Sequence, residues 1–347
     1  MPKLFLLRFI GFIWLACVSL SSWADYTTHP EFVKFSADMQ QRYQFSQADL
    51  MRWFSQANKQ DAIIAAISKP AEQSKTWGDY RKIFITPQRT GQGIIFWKKH
   101  QATLKKASQT YQVPESIIVA IIGVETFYGR NTGKHRVIDA LATLAFDYPP
   151  RADFFRTELA EFLLLSRENH LDPLQATGSY AGAMGYSQFI SSSYRNYAVD
   201  MNDDKIVDLH NPQDAIGSVA NYFQKNGWKP NTLVVLPATV TPEDNFTTAT
   251  YTAEKPSLSL SELQKKGIQS ATANTLDPST PATLLVLQGE QNKEYWLGFK
   301  NFYVITRYNR SPLYAMAVYQ LSQQLEASMM KNAPTPPSYR YHKYNHI

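Results

Sequence analysis

The stretch PESIIVAIIGVETFYGRNTG, residues 114–133, carries the clearest helix signal in the chain and ends it on a single carboxylate. Pro114 suits the first helical position, where its missing N–H costs nothing. Ile118, Ile121, Ile122 and Glu125 follow the i, i+3, i+4, i+7 spacing and share one face, while Ile117, Ala120 and Val124 fill the other. A helix apolar nearly all round is a buried one. Glu125 is then either a helix-end residue bonded to nearby backbone or to Arg130, or a carboxyl held in a low-dielectric place. In the second case burial disfavours its ionised form, so it keeps its proton to higher pH, as a general acid requires. Phe127 and Tyr128 can serve as a sugar platform, and Gly129 and Gly133 allow close backbone approach to an extended ligand.

Outward from this helix the organisation is mostly helical. The 347 residues suffice for two or three structural units. Helices are predicted in EFVKFSADMQQRY, QADLMRWFSQANK and QDAIIAAISKP, then a loop around Pro87, Gly91 and Gly93 before a further helix ending near Tyr111. VIDALATLAFDYPP ends at its prolines and RADFFRTELAEFLLLSREN is amphipathic. NPQDAIGSVANYFQKNG carries a full set of helix signals: Asn211 as cap, Pro212 inside the start, Gly227 past the end. From about Lys229 short β-branched and aromatic runs take over (TLVVLPATV, TTATYTA, ATLLVLQGE, EYWLGF, FYVITRYN), predicting a small β unit before a last helix, SPLYAMAVYQLSQQLEASMM. The expected division is residues 1–24 signal peptide, 25–110 helical N-terminal domain, 111–228 catalytic core, 229–305 β domain, 306–330 returning helix and 331–347 a disordered Pro- and Tyr-rich tail.

The first 24 residues combine Lys3 and Arg8 with the apolar run FIGFIWLACVSL and a small-x-small site at Ser22 and Ala24, an export signal with a mature start at Asp25. An uncleaved anchor and lipidation at Cys17, within WLAC, are the alternatives. Cys17 is the only cysteine, so a chain cut at Asp25 has no disulfide and no thiol chemistry. Without Lys3 and Arg8, 33 bases face 29 acids. So mild an excess, with no Lys/Arg run, suits an anionic polymer and gives no support to nucleic acid.

Two further stretches bear on chemistry. GSYAGAMGYSQFISSSYRNYAVD, residues 178–200, leaves backbone uncovered at Gly182, Ala183 and Gly185, with Ser179, Gln188 and tyrosines as donors to hydroxyl and N-acetyl groups; close helix packing is the plainer reading. DMNDDKIVDLHNPQD, residues 200–214, places Asp200, Asn202 and Asp204 at positions 1, 3 and 5 of an EF-hand-like loop. Asn211 stands at position 12, so closure passes to Asp214, and Lys205 stands where glycine is usual. A solvated acidic turn is the alternative.

GVETFYGRNTG, YAGAMGYSQF and DAIGSVANYF, in this order and spacing, resemble the membrane-bound lytic murein transglycosylase B family from about Trp77 to Asn309. The resemblance implies an α+β, predominantly helical fold with a lysozyme-like core, and a periplasmic, monomeric enzyme acting on peptidoglycan glycan strands. It implies cleavage of the β-1,4 bond between N-acetylmuramic acid and N-acetylglucosamine, with Glu125 as sole acid/base and the muramoyl 6-hydroxyl closing on C1. No cofactor is implied for catalysis, and the N-terminus is a possible membrane attachment. Saccharide-binding positions carry over to Ser179, Gln188, Tyr222, Tyr308, Asn309 and Tyr80, and a structural calcium site to Asp200, Asn202, Asp204, the carbonyl of Ile206, and Asp214. Two departures stand out: Pro150 before Arg151 in YPPR, where two basic residues are common, and Lys205. The rivals are a hydrolytic muramidase, for which Asp147 and Asp153 are the nearest second carboxylates in sequence, and a non-catalytic peptidoglycan-binding module.

Overall fold

The computed structural model describes residues 25–68, 75–242 and 255–331. The signal segment with Cys17, the TTATYTA run and the tail from residue 332 lie outside the described residues. Three short helices open the chain, α1 (Pro30–Tyr43), α2 (Gln47–Phe54) and α3 (Asp61–Ile67), followed by α4 (Trp77–Phe84), α5 (Pro87–Lys99) and α6 (Gln101–Tyr111). Side-chain caps start four of these: Ser46 accepts from the Asp49 N–H, Thr76 from Asp79, Thr86 from Arg89 and His29 from Glu31.

The loop expected around Pro87, Gly91 and Gly93 is instead helix α5. Pro87 occupies the first turn, and Gly93 is dictated by packing: a Cβ there would lie 2.3 Å from the Tyr128 hydroxyl and 2.5 Å from Leu325. Helix α7 (Glu115–Thr126) is buried at ten of its twelve positions. Pro114 is its N-cap rather than its first residue. After a two-residue strand β1 (His135–Arg136) come α8 (Val137–Phe146), α9 (Ala152–Glu168), β2 (Thr177–Gly178), α10 (Ser191–Tyr197) and α11 (Pro212–Lys225).

The β unit holds a four-stranded antiparallel sheet in the order β3 (Val235–Pro237), β8 (Lys293–Gly298), β7 (Pro281–Gln288), β5 (Leu258–Ser259). A small pair, β4 (Thr239–Val240) with β6 (Ile268–Gln269), and helix α12 (Leu260–Lys265) complete it around Leu236, Leu263, Ile268 and Leu297. FYVITRYN, expected as a strand, is helix α13 (Lys300–Tyr308). Its β-branched residues suit either state, and packing decides: Phe302 and Ile305, three apart, are buried together, and Asn301 is bonded to the Lys229 backbone and Thr232. The 305/306 boundary therefore falls inside a helix. Helix α14 (Pro312–Lys331) then returns to lie against α7, α4 and α5.

Residues 25–110 do not bury a core of their own. One apolar cluster runs from Tyr26 through the buried face of α7 to Leu325. Polar ties follow the same path: the Tyr26 hydroxyl donates to Asp147 at 2.8 Å, and the Asn58 N–H to Asp139 at 3.0 Å. On the far side, Trp77 and Arg81 of α4 both donate to Glu294 of β8, joining the β hairpin to the helical body.

Candidate active site

Glu125 sits one residue before the end of α7, half-buried, at a sharp reversal of the chain. The helix closes as a Schellman-type turn, with the Phe127 N–H on the Gly123 carbonyl and the Tyr128 N–H on Ile122. Phe127, Tyr128 and Gly129 have φ of 51°, 60° and 87°, so two non-glycine residues in succession adopt the left-handed conformation at about 1–2 kcal/mol each. Packing holds them there. Arg89 donates to the Gly123 carbonyl, and its guanidinium lies over both Phe84 and Phe127, at 5.1 and 4.8 Å from the ring centroids. Arg130 covers Phe127 as well. The Tyr128 ring is driven between Gly93 and Gly123, its hydroxyl buried without a hydrogen-bond partner and its ionisation pushed up by burial. The platform expected from this pair is therefore wrong for Tyr128, which wedges α5 against α7.

The glycine-rich segment passes directly beside this turn. The Thr126 hydroxyl donates to the Tyr186 carbonyl at 3.2 Å and accepts from the Gly129 N–H. Ser179 folds the segment back on itself, its Oγ accepting from the Ala181 and Ala183 N–H groups. Gln188, at φ 50°, donates through Nε2 to the carbonyls of Thr132 and Gly185. Of the expected sugar-binding groups, these two also build the wall they stand on.

Opposite stands a cluster of tyrosines. Tyr314, on α14, donates its hydroxyl to Glu125 Oε1 at 2.6 Å. Tyr308 stacks on Tyr314 at 6.4 Å and 11° and donates to the Ser187 carbonyl at 2.6 Å. Burial first, and the nearby Glu125 charge second, push both phenols well above their usual range, so both remain donors at any working pH. Tyr222 packs edge-on to Tyr308 at 4.9 Å, its hydroxyl already used on the Arg307 carbonyl, so it shapes the wall. Tyr80 is buried on α4 near Tyr314, and Asn309 ends α13. Tyr314 is absent from the residues singled out in the sequence. The available signal was a tyrosine on the buried face of an apolar helix, whose hydroxyl needs a partner.

The 200–214 loop is folded back on its own acidic side chains. Asp200 accepts from the Asp203 and Lys205 N–H groups, Asn202 from Asp204, Asp204 from Ile206, and Asp214 from Met201 and Asp208. Lys205 takes φ 70°, the conformation a glycine would adopt freely. Asp214 is fully buried; burial, then repulsion from Asp200 and Asp204, raises its pKa. The loop carries the carboxylates of Asp200, Asp204 and Asp214, the ligand type that a hard cation takes. Among the described residues no three His, Cys, Asp or Glu side chains converge as a metal cage, so the Asn202 amide and the Ile206 carbonyl would have to complete the set.

Comparison with known proteins places this geometry in context. Residues 27–323 match the model of the Transglycosylase SLT domain. The Membrane-bound lytic murein transglycosylase B of Escherichia coli (strain K12) is 41% identical over 314 residues, 86% of this chain and 83% of that protein. Among solved structures, catenated lytic transglycosylase SltB1 from Pseudomonas aeruginosa is 49% identical with a TM-score of 0.83, covering 88% of this chain and 99% of that one. The Escherichia coli lytic transglycosylase Slt35, solved in complex with calcium, is 40% identical with a TM-score of 0.79, covering 89% and 96%. SltB3 from Pseudomonas aeruginosa, solved with NAG-anhNAM-pentapeptide, is 28% identical with a TM-score of 0.70, covering 85% and 79%.

Proposed function

The chain belongs to the membrane-bound lytic murein transglycosylase B family, and on that premise we propose a mechanism in which Glu125 alone serves as acid and then base. The protein is a peptidoglycan lytic transglycosylase, a carbon–oxygen lyase acting on glycan strands. The bond cleaved is the β-1,4 link between N-acetylmuramic acid and N-acetylglucosamine. Protonated Glu125 gives its proton to the leaving glycosidic oxygen, which departs as the 4-hydroxyl of N-acetylglucosamine. The resulting carboxylate takes the proton of the muramoyl 6-hydroxyl as that oxygen bonds to C1. Two bonds are exchanged, no water is added, and Glu125 ends protonated as it began. Tyr314 orients the carboxyl throughout. Ser179, Gln188, Tyr222, Tyr308, Asn309 and Tyr80 form the sugar-binding wall.

One observation carries this over a hydrolytic scheme. Two-carboxylate hydrolysis needs a second acid across the cleft. Asp147 is taken up by Tyr26 and Lys59, at 2.8 and 3.0 Å, in the N-terminal region, and Asp153 is an exposed partner of Arg156. Neither is available opposite Glu125.

Calcium is assigned a structural role at Asp200, Asn202, Asp204, the Ile206 carbonyl and Asp214, where it would neutralise the buried carboxylate. The bacterial relative is a membrane-bound protein. Among the described residues no helix is long and apolar enough to cross a membrane. The reading for this chain is an exported, periplasmic monomer whose membrane association, where it has one, is through the N-terminal segment.

Mass spectrometry of purified peptidoglycan digested by the protein tests the reading. Products one water lighter than reducing muropeptides are expected, and none with Glu125→Gln. Reducing ends would establish hydrolysis instead.

A further inference from the structure

Where the end of α11 meets the start of α13, the surface carries charge of one sign. In sequence no acid stands between Asp214 and Glu243 or between Glu294 and Glu326, and these two stretches hold five bases: Lys225, Lys229, Lys300, Arg307 and Arg310. The fold draws several of them together. Gly227, just past α11, lies beside Lys300, whose Nζ would be 3.5 Å from a Cβ placed there. On α13, Lys300 and Arg307 both lie over the Tyr303 ring, at 5.2 and 4.4 Å from its centroid. Burial first, then the charges of Lys255, Lys229 and Arg307, hold the Lys300 ammonium below its usual range.

Like charges held together oppose folding, yet fixed hydrogen bonds keep these in place. Asn301, fully buried, accepts from the Lys229 N–H at 2.9 Å and donates to the Lys229 carbonyl and the Thr232 hydroxyl at 2.8 and 2.9 Å. The turn from Lys229 to Thr232 is thereby pinned next to Lys300, and the residue that follows it, Leu233, is 39% exposed. Among the described residues Lys229, Lys255 and Lys300 have no ion-pair partner. Lys229 and Lys255 are exposed and Lys300 is half-buried. The acid of the adjoining strand stands apart: Glu294 lies about 14 Å back along β8 from Gly298 and is engaged with Arg81.

A hydrated carboxylate polymer would satisfy the charges and give Leu233 nothing. An anionic lipid surface satisfies both, with the cationic groups at the phosphates and the apolar side chain at the acyl boundary. Such a contact also complements an N-terminal attachment, because one acyl chain alone holds a protein to a membrane only marginally and a basic patch is a second signal that makes the hold stable.

We propose that Lys229, Lys255, Lys300 and Arg307, around Leu233, form a membrane-facing surface that lays the folded body against anionic phospholipid, while the N-terminal segment supplies the attachment. This does not depend on the chemistry at Glu125.

Co-sedimentation of the full-length protein with vesicles tests it, comparing phosphatidylcholine alone with equal parts of phosphatidylcholine and phosphatidylglycerol. Each basic residue near an anionic surface contributes about fivefold, so wild type should favour the mixed vesicles by about tenfold or more at low salt. The preference should fade as salt rises. Lys229→Gln/Lys255→Gln/Lys300→Gln should lose most of it, with melting temperature and turnover of soluble glycan strands unchanged, and Lys229→Arg/Lys255→Arg/Lys300→Arg should keep it. Leu233→Ser should weaken binding to the mixed vesicles and leave its salt dependence as it was. Equal partitioning of wild type to the two vesicles, or loss of the preference in the arginine variant, overturns the proposal. So does a preference kept by the glutamine variant; should that variant lose retention on purified sacculi instead, the face belongs to the anionic peptides of the murein.

Discussion

Replacing Tyr314 with phenylalanine removes one oxygen atom and the 2.6 Å hydrogen bond that ends on Glu125 Oε1. The donor is a buried phenol with no tendency to ionise, so in the native protein it favours the carboxylate form of its partner. A hydrogen bond to an ionised group is worth about 1.5–3 kcal/mol. Glu125 is half-exposed, which places the loss at the low end, and about 1.4 kcal/mol corresponds to one pH unit of displaced titration. Without the donor Glu125 holds its proton more tightly, so the alkaline limb of the kcat/KM profile should move up by about one unit. The carboxyl also loses its orientation, and kcat at the optimum should fall by about tenfold. The assay is turnover of solubilised glycan strands across pH, with the melting temperature followed in parallel. An unmoved alkaline limb together with kcat within about threefold of wild type would refute the assignment of Tyr314.

Two further outcomes follow from the same geometry. Gly93→Ala should destabilise by about 1–3 kcal/mol and lower activity, because its methyl displaces the Tyr128 ring that wedges α5 against α7; calorimetry and turnover check this. Asp214 has a raised folded pKa, so protonation favours the folded state and the contribution is lost as pH rises through that value. In chelator, the melting temperature should therefore fall as pH rises through the weakly acidic range. Calcium should abolish that slope and raise the melting temperature at neutral pH, and a melting curve indifferent to calcium would remove the loop from the metal sites.

What the sequence revealed follows from how local the cause is. The α7 helix was legible because its apolar residues mark a buried helix without reference to anything else. The α11 helix was legible from its own cap, proline and terminal glycine. Helix α13 was not, since Val304, Ile305 and Thr306 suit a strand equally and only burial of Phe302 and Ile305 settles the matter. Gly93 misled for a related reason: a glycine that admits a neighbour's ring looks, in one dimension, like a glycine that bends a loop. Tyr128 was expected as a sugar platform beside Glu125 and instead packs between α5 and α7, because neighbours in sequence point in different directions across a left-handed turn. Tyr314 stands 189 residues from the carboxyl it orients, a pairing no local pattern encodes.

That separation has a consequence for how the protein becomes an enzyme. The glutamate and the glycine-rich wall are made early, but the phenol that aims the carboxyl belongs to α14, which also covers α7, α4 and α5. Contacts so distant along the chain form only after a long loop has closed, at an entropic cost that local structure does not bear. A partly folded molecule can therefore hold a formed catalytic helix and still lack an aimed acid. On the proposed mechanism, activity would report that the last helix has docked, and cell-wall cleavage would wait on completion of the fold.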